Sequence, residues 1–483
     1  MIPILIGTAI ESFVAVVTVK IMTTMLAPAA VGATALALSL AALFSLVFVN
    51  PVWMYLLRHA HAWERRGTFK QRVLFEFPIY LAIAASIVTV GLLINARFGW
   101  VNIGSPAMAA ATAVSFFMIA NAAVMTVPVM INVLGALAPA ALLNAAICVA
   151  ALAGAMMSVH LGAPTMMHWV FGLAAGDAAM LFAAVPVFFW VTRNAPQATG
   201  RVTIGEDARA AASFALPLAG SVAFYWFQLY GYRFMFEREL GAARLGLFFA
   251  GYAVGGGFIN AMEQVLTQYL QPRFYRDVSS SESDGGGGAW RAYASLMLPA
   301  LAVSVLFAGA AAPFLGRVLL GMKFQTASRF VIWGALVEAS RCVFAVFSLS
   351  AHARSETNRL VPANAVGAVT ALVICASLIP VFGEVGAGIG LALSFAAGTA
   401  YLVWQMGSVM SLQLELSGLP RKAAASAALL AVTIAARRLL PGPMSISSAL
   451  AACAALGAGF FAVLVTAIDA WKEVVPRIEA LRG

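Results

Sequence analysis

Charged residues are scarce in this chain. Only 10% of its 483 residues are Asp, Glu, Lys or Arg, and 62% are hydrophobic, whereas soluble globular domains are about 25% charged and about 45–50% apolar. This deficit of charge excludes a soluble protein of ordinary composition. A transmembrane helix needs about 20 mostly apolar residues, and such segments recur along the whole chain. The sequence therefore predicts an all-α membrane protein that crosses the bilayer many times.

Several chemical signatures are also missing. No GxxxxGK[ST] phosphate loop occurs, so no nucleotide cofactor is predicted. The cysteines lie in apolar stretches without CxxC spacing or a neighbouring histidine, which favours small buried side chains over a metal site or a disulfide. They are Cys148, Cys342, Cys375 and Cys453. The opening segment MIPILIGTAIESF has no basic n-region, so the first span is expected to act as its own insertion signal.

Apolar runs predict fourteen transmembrane helices. The predicted spans are 2–26, 31–57, 73–95, 107–134, 137–158, 165–191, 209–236, 243–271, 293–316, 325–351, 360–381, 386–412, 422–440 and 446–469. They divide the chain into an N-terminal six-helix lobe at 1–192, a cytoplasmic linker at 193–208 and a C-terminal six-helix lobe at 209–412. Two further helices and a tail occupy 413–483.

The distribution of basic residues predicts the orientation. With the N-terminus inside, 18 of the 29 Lys and Arg residues fall in inner loops and the C-terminal tail, and nine fall on the outer side. Cytoplasmic loops carry such an excess, so both termini are predicted to be cytoplasmic. The net charge of +10 is explained by this bias and by contact with anionic lipids, and no nucleic-acid partner is expected.

The two halves of the chain repeat one another. Sliding the sequence by 214 positions pairs Pro3 with Pro217 and Gly32 with Gly246 without a gap. Because the offset spans six helices, an even number, both halves would enter the membrane in the same direction. Parallel repeats of this kind occur in transporters that rock two bundles about a central site.

Lys20 and Arg233 are basic residues inside predicted spans. A basic side chain at the centre of a span costs about 2.5–3.5 kcal/mol on insertion scales, which suggests a use for Lys20 and Arg233. The repeat offset maps Lys20 onto position 234, next to Arg233, so both cations would lie at nearly the same depth. They either face one cavity or extend to the outer interface.

Carboxylates and amides also occur within the spans. Glu11 lies on the opposite helix face from Lys20, so it either pairs with another helix or is a protonatable coupling group. Asp177 is either a coupling-ion site or a capped structural acid. Glu338 and Arg341 share a helix face, which favours a local ion pair over substrate contact.

Amides form a polar stripe on the eighth span and serve either as interhelical hydrogen bonds or as a sugar-binding surface. The stripe comprises Asn260, Gln264, Gln268 and Gln271, and Asn50 corresponds to Gln264 in the repeat.

The segment ALPLAGSVAFYWFQLYGYRFMFERELGAARLGLFFAGYAV, followed by LTQYLQPRFYRDV, resembles the start of the second half of bacterial Wzx-type polysaccharide flippases. These belong to the multidrug/oligosaccharidyl-lipid/polysaccharide exporter superfamily. The first half repeats the theme as VKIMTTMLAPAAVGATALALSLAALFSLVFVNPVWMYLLR, and the similar order of spans covers nearly the full chain. One difference is that Tyr232 occupies the position of an aspartate that precedes the arginine in the family, whereas Arg233 is retained.

The resemblance implies two six-helix lobes in a V shape. It further implies transport of undecaprenyl-pyrophosphate-linked oligosaccharide from the cytoplasmic to the periplasmic leaflet of the bacterial inner membrane, for O-antigen, capsule or exopolysaccharide synthesis. Lys20 and Arg233 would shield the pyrophosphate, Arg341 and the amides would contact the substrate, and Glu11, Asp177 or Glu338 would couple H⁺ or Na⁺. Membrane lipids, a polysaccharide polymerase and glycosyltransferases are the expected partners of a monomeric protein.

Three alternatives remain open at this point. A lipid II flippase and a multidrug antiporter would share the architecture. A membrane polysaccharide polymerase or ligase would serve the same pathway, but such enzymes usually need a long outer loop or a soluble domain, and the longest predicted outer loops have about a dozen residues. A transporter is therefore predicted rather than an enzyme.

Overall fold

A computed structural model describes residues 2–99, 107–193, 204–280, 286–354, 356–409 and 445–467, together with Ala431. Every regular element within these ranges is helical. Eleven of the helices are long and apolar enough to cross a membrane. The predicted class, an all-α polytopic membrane protein, is confirmed.

The helices are numbered in chain order. They are α1 Ile2–Met25, α2 Pro28–Arg65, α3 Phe69–Phe98, α4 Ala107–Val133, α5 Leu137–Leu161, α6 Met166–Val191, α7 Arg209–Leu240, α8 Ala242–Val278, α9 Gly287–Leu319, α10 Met322–Ala353, α11 Thr357–Phe382, α12 Glu384–Met406 and α13 Ile446–Ala467. Each corresponds to one predicted span. The predicted span at 422–440 lies outside the described residues, apart from Ala431, so the total of fourteen and the location of the termini stay predictions.

Three long helices, α2, α3 and α7, contain π-helical segments. In α2 the segment Phe44–Val49 is π-helical and is followed at once by Pro51, which has no backbone N–H to donate to the preceding turn. The Tyr80 hydroxyl on α3 donates to the carbonyl of Phe48 at 2.7 Å. This hydrogen bond joins α3 to the irregular turn of α2.

Small residues bring α8 and α10 into backbone contact. A Cβ atom added at Gly255 would lie 1.9 Å from the carbonyl oxygen of Val331, and one added at Gly334 would lie 2.1 Å from that of Tyr252. Only glycine permits so close a crossing. The GYAVGGG segment at 251–257 therefore packs directly on the backbone of α10.

The repeat is visible in the helix bounds. Shifting α1 and α2 by 214 positions gives the ranges 216–239 and 242–279. The second range matches both ends of α8 to within two residues, and the first matches the end of α7 but begins seven residues after its start. The paired glycines also meet reciprocally. A Cβ atom on Gly32 would lie 1.9 Å from the carbonyl oxygen of Ala242, and a Cβ atom on Gly246 would lie 1.9 Å from that of Pro28.

Internal packing divides the chain into two compact units, Met1–Gly246 and Leu247–Gly483. The first unit includes α7 and the first residues of α8. The predicted lobe boundaries at 192 and 209 stay predictions, and most of the predicted linker lies outside the described residues. The turn between α7 and α8 is short, with Gly241 at φ 83° and with Arg238, Glu239 and Arg244 exposed around it.

Candidate functional site

Arg233 is the most enclosed basic residue of the predicted site. It is 6% exposed, and its Nη1 donates to the carbonyl oxygen of Ala35 at 3.2 Å and to the Ser39 hydroxyl at 2.9 Å. The guanidinium also lies over the Tyr230 ring, 4.8 Å from its centroid. The cation is therefore held between α7 and α2 by oxygen acceptors and an aromatic face.

A π-helical segment of α7 precedes Arg233. This segment, Phe227–Gly231, separates Arg233 from Trp226, and both side chains reach the same turn of α2. The Trp226 indole donates to the carbonyl of Ser39 at 2.8 Å. Ser39 is fully buried. It accepts hydrogen bonds from α7 through both its hydroxyl and its carbonyl. We refer to Arg233, Trp226 and Ser39 as the α7–α2 clamp.

Lys20 has a different environment. It is partly exposed on α1, and its backbone carbonyl accepts from the hydroxyls of Thr23 and Thr24 at 3.1 and 2.7 Å. The hydrogen bonds of Arg233 described above involve α2 and not Lys20. Convergence of the two cations on one cavity stays a prediction.

Both predicted acids of the first unit are bonded to amides on other helices. Asn144 on α5 donates to Glu11 at 2.8 Å, and Asn121 on α4 donates to Asp177 at 2.9 Å. Asp177 is 0% exposed, and its Oδ1 atom has no hydrogen-bond partner among the described residues. Each carboxylate is therefore oriented by a neutral donor, and Asp177 retains an unused acceptor.

The predicted ion pair of the second unit is present and belongs to a larger network. Arg341 Nε donates to Glu338 at 2.6 Å, and Nη2 contacts both Glu263 and Asn260, the latter at 2.7 Å. The Tyr252 hydroxyl donates to the other oxygen of Glu338 at 2.7 Å. Two carboxylates thus share one guanidinium. The network joins α8, which carries Tyr252, Asn260 and Glu263, to α10, which carries Glu338 and Arg341.

The predicted amide stripe is divided by this network. Asn260 is engaged with Arg341, whereas Gln264 and Gln268 are exposed further along α8. Gln271 and, on α2, Asn50 are partly buried. Asn260 therefore stabilises the contact between α8 and α10, and sugar contact by the other amides stays a prediction.

Sequence reasoning missed several members of these clusters. Glu263 follows Asn260 by three residues, so it faces the same partner helix, and this spacing was an available signal. Asn121 and Asn144 are isolated amides in apolar spans, which is also a sequence signal. Ser39 has no such sequence signal, because the hydroxyl of a helical serine usually donates to a carbonyl of its own preceding turn. Ser39 also does this, donating to the carbonyl of Ala35 at 2.7 Å.

The described part of the chain has no group of three His, Cys, Asp or Glu side chains that could hold a metal ion. All four cysteines are free, with Cys342 and Cys375 buried and Cys148 and Cys453 partly buried.

No protein-family model matches the chain, and no curated protein matches its sequence. Three solved structures resemble it in fold. The lipid II flippase MurJ in an inward closed conformation is 11% identical, with a TM-score of 0.66 over 98% of this chain and 100% of that one. The eukaryotic MATE transporter AtDTX14 is 13% identical, with a TM-score of 0.50 over 85% of this chain and 97% of that one.

The third structure is an outward-facing multidrug resistance MATE family transporter of the MOP superfamily. It is 14% identical, with a TM-score of 0.52 over 84% of this chain and 93% of that one. The chain therefore has the fold of transporters of this superfamily and is a multi-pass membrane protein.

Proposed function

We propose that this protein is a transporter that moves undecaprenyl-pyrophosphate-linked oligosaccharide from the cytoplasmic to the periplasmic leaflet of a bacterial inner membrane. The main support is the fold shared with a lipid II flippase over 98% of this chain, whereas the two MATE transporters correspond to 84–85% of it. Alternating access would expose a central site to each side in turn.

The cationic residues supply the proposed contact with pyrophosphate. Arg233 is engaged by Ala35 and Ser39 of α2, so it would have to exchange these acceptors for phosphate oxygens when substrate binds. The exchange would replace two neutral acceptors by anionic phosphate oxygens, with which a guanidinium can form two parallel hydrogen bonds. Lys20, which is partly exposed, would provide the second charge.

The membrane potential would favour this direction of transport. A potential that is negative inside drives an anion outward by about 2.3 kcal/mol per charge per 100 mV. A coupling ion would then be an addition rather than a requirement. We assign that role to Glu11 and Asp177 because each is bonded to a neutral amide and can bind or release a proton without breaking an ion pair.

The proposal is tested in proteoliposomes that contain fluorescent lipid-linked oligosaccharide, with leaflet exposure measured by an impermeant quencher. Wild type should move the substrate, and Arg233→Ala should slow it by at least tenfold while Arg233→Lys retains part of the rate. Ser39→Ala is the matched control, because it removes one acceptor of Arg233 and leaves the charge. Equal rates for wild type and Arg233→Ala would contradict the substrate role of Arg233.

Two alternatives are decided by the same preparation. Lipid II is the substrate named for one structure of the same fold, so movement of lipid II but not of the oligosaccharide would favour a lipid II flippase. Drug efflux without movement of either lipid would favour an antiporter.

Asp177→Asn, which keeps an acceptor for Asn121, should abolish dependence on a pH gradient if Asp177 carries the coupling proton. If only the thermal stability changes, Asp177 is a structural acid.

A further inference from the structure

A basic surface lies where α2 turns into α3. Residues 58–76, called here the α2–α3 elbow, contain five basic residues and two acidic ones. Both acidic side chains already contact a basic neighbour within the elbow. Glu64 lies 3.4 Å from the His61 ring, and Glu76 lies 3.2 Å from Arg72. The elbow therefore presents an excess of positive charge.

The elbow has a fixed shape. Gly67 turns the chain at φ 73°, and the backbone N–H of Thr68 donates to the carbonyl of Trp63 at 2.9 Å. The buried guanidinium of Arg72 lies 4.6 Å from the centre of a Trp63 ring, and Phe69 stacks on Phe188 of α6. These contacts anchor the turn to the first unit, so the backbone that carries the exposed cations is already ordered and only their side chains must become ordered on binding.

Apart from the buried Arg72, the cations of the elbow are on its outside. Arg65 and Arg66 are exposed and Lys70 is partly exposed. On the last turns of α2 the exposed positions follow spacings of four, three and four, which places them on one helix face. They are Met54, Arg58, His61 and Arg65.

A lipid-facing stripe begins directly after the elbow. Exposed apolar side chains on α3 follow spacings of four, four, four, three, four and four. They are Phe75, Ile79, Ile83, Ile87, Val90, Ile94 and Phe98. At 1.5 Å per residue the stripe is about 35 Å long, which crosses the roughly 30 Å hydrocarbon core when the helix is tilted as transmembrane helices commonly are. Phe75, 64% exposed, therefore marks one edge of the hydrocarbon.

The distance from this edge to the cations fits a phospholipid. Lys70 precedes Phe75 by five residues, which is about 7 Å along the helix, and the headgroup layer extends about 5–7 Å beyond the hydrocarbon on each side. We propose that the α2–α3 elbow binds the phosphate of an anionic membrane phospholipid through Arg65, Arg66 and Lys70, with the acyl chains along the α3 stripe. This site shares no residue with the proposed substrate contacts and does not depend on the proposed function.

The test is native mass spectrometry of the purified full-length protein in detergent, titrated with phosphatidylglycerol and, separately, with zwitterionic phosphatidylcholine. Each basic residue near a membrane surface contributes roughly a fivefold change in affinity for anionic lipid. Removing three charges in Arg65→Gln/Arg66→Gln/Lys70→Gln should therefore weaken phosphatidylglycerol binding by about a hundredfold and leave phosphatidylcholine binding unchanged.

A matched control removes three exposed basic residues elsewhere. The substitutions are Arg238→Gln, Arg244→Gln and Lys323→Gln. They should leave phosphatidylglycerol binding within about twofold of wild type, because none of these cations belongs to the elbow. Arg238 and Arg244 flank the turn that packs on the first residues of α2, at the opposite end of that helix from the elbow. Equal losses in both triple variants would overturn the proposal, since binding would then depend on net charge alone.

A second variant guards against misfolding. Arg65→Lys/Arg66→Lys keeps the charge and should keep phosphatidylglycerol binding within a few-fold of wild type. If it loses binding at wild-type thermal stability, the charge-based site is wrong. A polyprenyl pyrophosphate that needs these three residues when phosphatidylglycerol does not would likewise overturn the proposal, because the elbow would then receive the transported substrate.

Discussion

The reciprocal contact between Gly32 and Gly246 predicts a large penalty for a single methyl group. A Cβ atom on Gly32 would lie 1.9 Å from the backbone oxygen of Ala242, well inside the separation of more than 3 Å that carbon and oxygen require. Because the obstacle is backbone, no side-chain rotation relieves it, and the helices must move apart by more than 1 Å.

The magnitude follows from two opposing terms. Overpacking costs about 1–3 kcal/mol, and a backbone clash belongs at the upper end, whereas Ala improves helix propensity over Gly by about 1 kcal/mol. Gly32→Ala should therefore lower the free energy of unfolding by about 2 kcal/mol. Gly91→Ala is the control, because its Cβ atom would meet nothing within 4 Å and the propensity gain should remain.

The assay is thermal unfolding of purified protein in detergent, and the expected order of midpoints is Gly91→Ala, wild type, then Gly32→Ala. Gly246→Ala should resemble Gly32→Ala, because its Cβ atom meets the carbonyl oxygen of Pro28 at the same 1.9 Å. The double variant Gly32→Ala/Gly246→Ala should lose less than the sum of the single losses, since one separation of the helices accommodates both methyl groups. A Gly32→Ala midpoint at or above that of Gly91→Ala would refute the crossing.

Three further predictions concern residues within a single unit, and each is measured by thermal unfolding. Arg341→Ala removes the guanidinium shared by two carboxylates and should lower the free energy of unfolding by about 3 kcal/mol. Adding Glu263→Gln should recover part of this loss, because it removes one of the two unpaired charges. If the double variant recovers nothing, the two carboxylates do not share the cation. Gly67→Ala should cost about 1–2 kcal/mol because Gly67 has φ 73°, whereas Gly67→Asn should cost less, and equal effects would argue against this backbone conformation. Tyr80→Phe removes the donor to Phe48 and should cost about 1 kcal/mol, with an unchanged midpoint as the contrary result.

Helix positions were predictable from sequence, and some ends were not. The predicted second span ended at 57 but α2 continues to Arg65, and the eighth was predicted to end at 271 but α8 continues to Val278. Hydropathy reports where hydrocarbon ends, whereas a helix continues in water as long as its backbone hydrogen bonds and side-chain packing persist. Beyond the apolar runs this packing is provided by two buried aromatic side chains, Trp63 on α2 and Phe274 on α8.

The candidate site was predictable only where its members share a helix. Glu338 and Arg341 are three residues apart, so their ion pair followed from helix geometry. The partners of Glu11 and Arg233 lie on other helices, and spacing along one helix does not determine how a second helix is rotated against it. The acceptor of Arg233 on Ala35 is a backbone carbonyl, which every residue has, so no sequence pattern marks it.

The acids within the spans differ in their hydrogen-bond partners, and this difference bears on the proposed ion coupling. Protonation of Glu338 or Glu263 would weaken the shared contact with Arg341, and breaking a buried ion pair costs about 3–5 kcal/mol. Asp177 accepts from the neutral amide of Asn121 and has an oxygen without a partner among the described residues, so it can take up a proton without giving up an ion pair. Of the three acids predicted to couple ions, Glu11 and Asp177 are therefore better suited to that role, and Glu338 is better suited to holding α10 against α8.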